Sequence, residues 1–371
     1  MSNVIRLGDY ITEISEKTTV NNQHMVLTSS QEGIVSQDDY FNKQVASKDN
    51  TGYKIIRRGQ FTYRAMSDTG RFYINRLTDY DIGIVSPAYP VFELRTNGQI
   101  LPEYLQEYFH SEHFQNAITL SSTGSTRVSL KLAKIADLRI DIPTLPKQQC
   151  AVQAISHVNH LISMQNSSAA KLDQLVKSRF VEMFGDPENN PKHWDKVSLS
   201  NVISNANNGM ARRGNDTEGS IVLRLVELQD GFIDYSSPNR IVLTEAEKKR
   251  YLLKNRDFLF ARVNGNPENV GRCAEFSDIG EPVYHNDHII RVHFDENVIN
   301  GCFASALLNS AYGKRQMAGQ IKTSAGQYTI NQEGIGAIVT VLPPLELQNC
   351  FAAFVAEVDK SKLSYEMEVA A

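Results

Sequence analysis

The arginines of this chain are unevenly placed, and one of their clusters is interleaved with tyrosines. From Lys43 to Arg76 there are eight basic residues against two acidic ones, and Tyr63 and Tyr73 fall in the same stretch. From Arg240 to Arg272 there are eight basic residues against four acidic. Guanidinium groups at that density could neutralise phosphates or pair with guanine O6 and N7, although a solvated surface would read the same way. Net charge is −4, and acids gather elsewhere, as at Glu346, Glu357, Asp359, Glu366 and Glu368. The local distribution therefore says more than the sum. His285, His288 and His293, with Asp287 between them, have a spacing that could suggest a metal. On the strand expected there, His288 and His293 point to opposite faces, so a shared ion does not fit and no metal is expected.

Catalytic motifs are missing. Neither a G-x-G-x-x-G turn nor a GxxxxGK[ST] phosphate loop occurs. Asn264-Gly265-Asn266-Pro267 lacks the second proline and the aromatic residue that would mark an amino-methyltransferase. Asp257 with a neighbouring Glu or Lys is the best start on a metal-dependent nuclease site, and it is a poor one. No catalytic residue is assigned, and a non-catalytic protein is expected. The four cysteines (Cys150, Cys273, Cys302, Cys350) have no CxxC spacing and suggest reduced thiols. With no long apolar run and no signal peptide in the sequence, a cytoplasmic location is expected.

The elements that must position these residues come twice. Pro143, Leu145, Gln148, Cys150 and Val158 recur 200 positions later as Pro343, Leu345, Gln348, Cys350 and Val358. A period that long is a domain plus a connecting element, not a solenoid unit. Each module opens with a short apolar-punctuated segment, from Ile5 to Ile11 and from Lys196 to Ile203. Aromatic and β-branched stretches between Gly, Asn and Asp turns then predict strands. They cover Tyr53 to Ile56, Gln60 to Tyr63, Arg71 to Ile74 and Ile82 to Val85 in the first module. In the second they cover Ser220 to Val226, Phe258 to Val263 and His288 to Phe294. Helical patches follow at Leu101 to Phe109 and from Asn300 to Leu308, so each module mixes α and β.

From Thr144 to Phe184 there is no glycine and one proline, Pro146, in the first turn. Ala151, Ile155, Val158, Ile162, Ala169, Leu172 and Val176 fall three and four apart, with a single gap spanning Gln165. That is a heptad seam on a helix, and its 41 residues would extend roughly 60 Å. Gly185-Asp186-Pro187 stops it. A second amphipathic stretch, from Pro344 to Ala371, carries Phe351, Phe354, Val355 and Val358. Each stripe needs a cover, and the economical cover is the other stripe, although two helices packed into a compact core would show the same periodicity.

Taken in order, these residues resemble the DNA-specificity subunit of a type I restriction–modification system, across essentially the whole chain. The resemblance rests on the tandem of domain and long helix. It rests also on Ser121 to Arg127 leading to Ile142-Pro143-Thr144-Leu145 and Gln148-Gln149, and on Gly83 to Tyr89 before a strand ending at Phe92. The last mark is Lys171-Leu172-Asp173-Gln174-Leu175 with Phe180 and Met183 to Pro187. It implies an α+β fold: two mixed α/β target recognition domains separated by two long helices that form an antiparallel coiled coil with pseudo-twofold symmetry. The expected bounds are 1–142 for the first recognition domain, 143–185 for the central spacer helix, 186–342 for the second domain and 343–371 for a shortened distal helix.

The resemblance further implies a subunit that binds double-stranded DNA at a bipartite target and docks two modification (methyltransferase) subunits and restriction/translocase subunits. S-adenosylmethionine, ATP and Mg2+ would then sit on those partners, with no cofactor on this chain. The alternatives are a single-chain metal-dependent restriction nuclease and an assembly scaffold that does not bind DNA. In the first module, the candidates for DNA binding are Arg57, Arg58, Tyr63, Arg64, Arg71 and Tyr73, with Ser122, Thr123, Ser125 and Arg127 in the Ser/Thr/Gly loop. In the second they are Arg212, Arg213, Arg262, Asn264, Asn266, Lys314, Arg315 and Gln316, with Lys322, Thr323 and Ser324 in the loop 200 positions on. Helix pairing or subunit docking is expected of Ile155, Val158, Ile162, Leu172, Val176, Phe351, Val355 and Val358.

Overall fold

The computed structural model describes residues 3–40, 49–95, 98–119, 128–324 and 326–370. The chain divides into two compact units, 1–162 and 163–371, and the division falls inside the long helix.

In unit 1, strand β1 (Asn3–Arg6) pairs antiparallel with β6 (Arg139–Ile142), so the module's first and last strands lie side by side. Between them runs a four-stranded antiparallel sheet made of β2 (Ile11–Ile14), β3 (Phe61–Thr62), β4 (Asn75–Arg76) and β5 (Val91–Leu94), in the order β2-β5-β3-β4. Helices α1 (Pro102–His110) and α2 (Glu112–Thr119) cover one face. The apolar positions that predict this face meet there: Phe61 stacks on Phe92 at 5.3 Å, and Phe109 meets both rings edge-on. Strands also form at Lys54–Arg57 and Ile82–Val85, as expected. No strand forms over 71–74. The backbone N–H of Phe72 donates to the Gln115 side chain and its carbonyl accepts from it, so a side chain takes the bonds a neighbouring strand would have made.

Unit 2 repeats the plan. β7 (Asp195–Ser198) pairs with β12 (Val339–Leu342). The sheet of β8 (Ile203–Asn208), β9 (Asp257–Ala261), β10 (Cys273–Glu275) and β11 (Ile289–Phe294) has the order β8-β11-β9-β10. Helices α4 (Gly301–Leu308) and α5 (Ala311–Ala318) follow. The register repeats as well. Phe92 faces Phe61, which faces Arg76, and Val292 faces Phe258, which faces Glu275.

The long helix α3 spans Leu145–Phe184, 40 residues, and α6 spans Leu345–Ala370, 26 residues. Gly185 ends α3 with φ of 78°, a left-handed position, and a Cβ there would lie 2.7 Å from the Pro191 ring. In unit 2 the two helices run antiparallel. Phe351 meets Phe184 and Phe180, Phe354 lies under the Arg179 guanidinium at 5.7 Å, and Lys362 bonds Asp173 at 2.7 Å. As α6 numbers rise, α3 numbers fall.

The repeated glutamines explain the sequence repeat. The Gln148 side chain accepts from Leu101 N–H and donates to the carbonyls of Gln99 and Pro143, each at 2.8 Å. The Gln348 side chain accepts from Asn300 N–H and donates to Val298 and Pro343 carbonyls. Both amides are buried and tie the root of a long helix to the start of the first covering helix.

Candidate nucleic-acid interface

In unit 1, Arg57 and Arg58 lie at the end of one strand and the turn after it. Arg57 pairs with Glu16 at 2.8 Å through Nη2, and Arg58 pairs with Asp81 at 2.8 Å. Arg71 pairs with Glu112. Arg64 is exposed and makes no hydrogen bond or ion pair among the described residues. Exposed pairs of this kind contribute about 0–1 kcal/mol, so each guanidinium can exchange its carboxylate for a phosphate at small cost.

Tyr63 corrects the expectation. Its ring is fully buried and its hydroxyl donates to the Leu130 carbonyl at 3.1 Å, so it is a core residue in no position to touch DNA. Burial also pushes its phenol pKa up. It follows β3, two residues after Phe61, and shares one core with Phe61 and Phe92, as the alternation of Phe61 and Tyr63 with polar residues indicates. Tyr73 is half-buried, and its hydroxyl bonds Gln31 at 3.3 Å. Ser122, Thr123, Ser125 and Arg127 lie outside the described residues, as does the side chain of Ser324.

Arg71 and Tyr73 come together with Gln31 and His110 around a cleft of about 440 Å³. Gln31 and His110 carried no signal in sequence. Gln31 follows a strand more than forty residues away, and His110 ends a helix whose sequence is marked by its apolar face.

In unit 2, Arg213 and Arg262 converge on one corner. Arg213 pairs with Asp287 at 2.6 Å and touches His288 at 3.0 Å, while Arg262 donates to the Asp287 carbonyl at 3.1 Å. Burial and the Arg213 charge both push the His288 pKa down. Asn264 lies in a small sheet with the hairpin of Lys322–Ser324 and Gln327–Thr329, opposite Tyr328. Lys322 and Thr323 are exposed on that hairpin, which is the segment at the 200-residue offset from the first module's loop. Asn264 and Asn266 are used locally: the side chain of Asn264 accepts from Asn266 N–H, and that of Asn266 from Glu268 N–H. Arg212 stands apart, paired with Glu247, whose pKa that hydrogen bond and those from Thr244 hold down at about 2. Lys314 bonds Asp230 at 2.6 Å and Arg315 pairs with Glu188, with Gln316 half-buried beside them. Lys314, Arg315, Thr323 and Tyr328 border a cleft of about 650 Å³.

The helix positions divide. Phe351, Val355, Val358, Leu172 and Val176 are buried or half-buried, while Ile155, Val158 and Ile162 are exposed.

The three histidines are held separately. His285 is buried with Nδ1 at 3.3 Å from the Tyr251 carbonyl, and His293 bonds Asp257 at 3.0 Å. Asp257 is fully enclosed and accepts also from Lys254 N–H and Arg291, so its carboxylate does not face solvent. Among the described residues no group of three or more His, Cys, Asp or Glu could hold a metal ion. Among the described residues no helix is long and apolar enough to cross a membrane.

No protein-family model matches the chain. It is 29% identical over 270 residues to the type I restriction enzyme StySPI specificity subunit of Salmonella potsdam, covering 69% of this chain and 58% of that protein. To the EcoKI specificity subunit of Escherichia coli strain K12 it is 22% identical, with the same coverage. The chain thus spans less than two thirds of the length of these curated relatives. Among solved structures, an S subunit of a type I restriction–modification system from M. genitalium matches 100% of this chain and 92% of its own, at 13% identity and a TM-score of 0.55. A structure described under assembly and conformational transition of the type I R-M system matches with the same TM-score at 15% identity. These two show the shared fold. In sequence, the chain is similar to the specificity subunits of type I restriction enzymes.

Proposed function

We propose that the chain is a non-catalytic targeting subunit that binds double-stranded DNA at a bipartite sequence. In this reading residues 1–142 and 186–342 are the two target recognition domains, and residues 143–185 and 343–371 are the spacer helices between them. Each domain reads one half of the target through base edges, with phosphate contacts supplying position and much of the affinity. The helices hold the halves a fixed number of base pairs apart, at about 3.4 Å each. They also dock two modification subunits, which methylate adenine N6 using S-adenosylmethionine, and restriction/translocase subunits that use ATP and Mg2+.

The observation that carries this is the duplication itself. One sheet register, one pair of covering helices and one glutamine clamp occur twice, each followed by a long helix. The carboxylate partners of Arg57, Arg58 and Arg71 favour a second reading, a scaffold that binds only proteins. Co-expression with the neighbouring modification-subunit gene, followed by genome-wide mapping of N6-methyladenine, decides between them. One split motif with a fixed gap is the expected result. A stable complex that methylates no split motif would put the scaffold first. Methylation by the purified chain alone would defeat both.

A further inference from the structure

The two clefts described above lie at the same place in the repeated fold. Ser111 and Ser310 cap α2 and α5 in the same way. Each hydroxyl accepts from the N–H three residues on (Phe114, Gly313) and donates to the carbonyl three residues back (Tyr108, Leu307). The offset here is 199, from 111 to 310, so His110 corresponds to Asn309 and Gln115 to Lys314. Arg76 and Glu275 face equivalent phenylalanines, again 199 apart, so Tyr73 corresponds to Arg272. All six of these residues line their respective clefts. Each cleft is therefore the corner between the outer sheet strand and the turn joining the two covering helices.

The scaffold around this corner is the same in both modules, and its lining is not. The first cleft presents the Gln31 amide, the Arg71 guanidinium and the Tyr73 hydroxyl. The second presents Arg272 and Lys314, which pair at 3.3 and 2.6 Å with Asp230, an exposed carboxylate beside the cleft's lining. An amide matches adenine N6 and N7, a guanidinium or ammonium matches guanine, and a carboxylate accepts from cytosine N4. The second cleft is also bordered by Thr323 and Tyr328 of the hairpin.

We propose that the two clefts are one base-selecting site, duplicated and then diverged. Gln31 and Arg71 set base preference in one half of the target, and Lys314 and Asp230 set it in the other. The proposal rests on the DNA-targeting reading above. It predicts which side chains carry sequence choice, which that reading leaves open.

The test is selection from a randomised duplex pool by the full-length chain co-purified with its modification subunits. Gln31→Ala with Arg71→Ala should reduce discrimination roughly ten-fold at positions in one half-site and leave the other half unchanged. Lys314→Ala with Asp230→Ala should do the reverse. Gln31→Glu and Arg71→Lys keep size and polarity, so they serve where the alanine pair melts early, and should relax the same positions. An unchanged motif in every variant would overturn the role of the clefts while the targeting reading stands. Uniform weakening, with a shallower salt dependence and an intact motif, would make these groups phosphate contacts and also overturn it. No motif from the unaltered chain would overturn the targeting reading, and the clefts' role with it.

Discussion

The roots of the two long helices carry the same sequence signal and have opposite surroundings. Phe351 and Val358 of α6 are 0% and 6% exposed. At the 200-residue offset on α3 stand Ala151 and Val158, the latter 53% exposed. Both roots keep the glutamine clamp, so the clamp fixes where each helix leaves its module. What covers the helix beyond that point depends on what lies opposite. For α6 the opposite surface is Phe180 and Phe184 of α3, joined by Phe303 of α4. Repetition in sequence thus specifies the joint, and packing is specified by the pair.

Removing that packing should have the largest effect. Phe351→Ala leaves a cavity beside Phe180, Phe184 and Phe303 and is expected to cost about 3–5 kcal/mol in urea unfolding of the second module. The counterpart change Ala151→Phe, on a half-exposed face, should stay within about 0.5 kcal/mol. Equal effects at the two positions would break the comparison.

A second contrast is electrostatic. At the same offset Val85 and His285 are both fully buried, and only one can titrate. Desolvation pushes the pKa of His285 down to about 4 from an ordinary 6.5, and its Nε2 has no protein partner among the described residues. The unfolded chain takes up this proton first, so stability is fully present above about pH 6.5. It is lost as pH falls toward 4, by up to roughly 3 kcal/mol. His285→Val should remove that part of the pH dependence and leave stability at pH 7 close to unchanged. A variant with an unaltered acid profile would show that the loss arises elsewhere.

The clamps themselves should be equivalent. Gln148→Ala and Gln348→Ala each strand a backbone N–H and two carbonyls, costing about 1–3 kcal/mol apiece. Alanine at one that is silent, measured by hydrogen exchange at Leu101 or Asn300, would mean the joint is held differently in the two modules.

How much of this was legible in the sequence follows from period and range. The helix from Leu145 to Phe184 and the tandem plan rest on spacings within one element and on residue identities 200 apart, both visible in a single chain. The expected strand at 71–74 fails because Gln115, forty residues away, supplies its hydrogen bonds. Tyr63 neighbours the arginines in sequence, while its burial is set by the core it shares with Phe61 and Phe92. Gln31 and His110 reach the cleft from separate elements, and no local pattern marks side chains that meet only in the fold.

The smallest contrast is a swap of glycine. In unit 1 Gly8 approaches the helix of Leu132–Ala136, and a Cβ on it would lie 2.9 Å from the Ala136 carbonyl oxygen and 3.0 Å from its Cβ. In unit 2 the glycine stands on the other partner: Gly336 has its added Cβ 3.4 Å from the Cβ of Ser200. One contact in each module therefore tolerates one side chain, and the two modules chose opposite sides. Gly8→Ser alone should cost about 1 kcal/mol or more, because the Ala136 backbone must move to admit it. Ala136→Gly alone should cost roughly 0.5–1 kcal/mol through helix propensity. The double change copies the arrangement of unit 2, so its cost should fall below the sum of the two. A double-mutant cycle with no coupling would show that the close approach is not what keeps Gly8 a glycine.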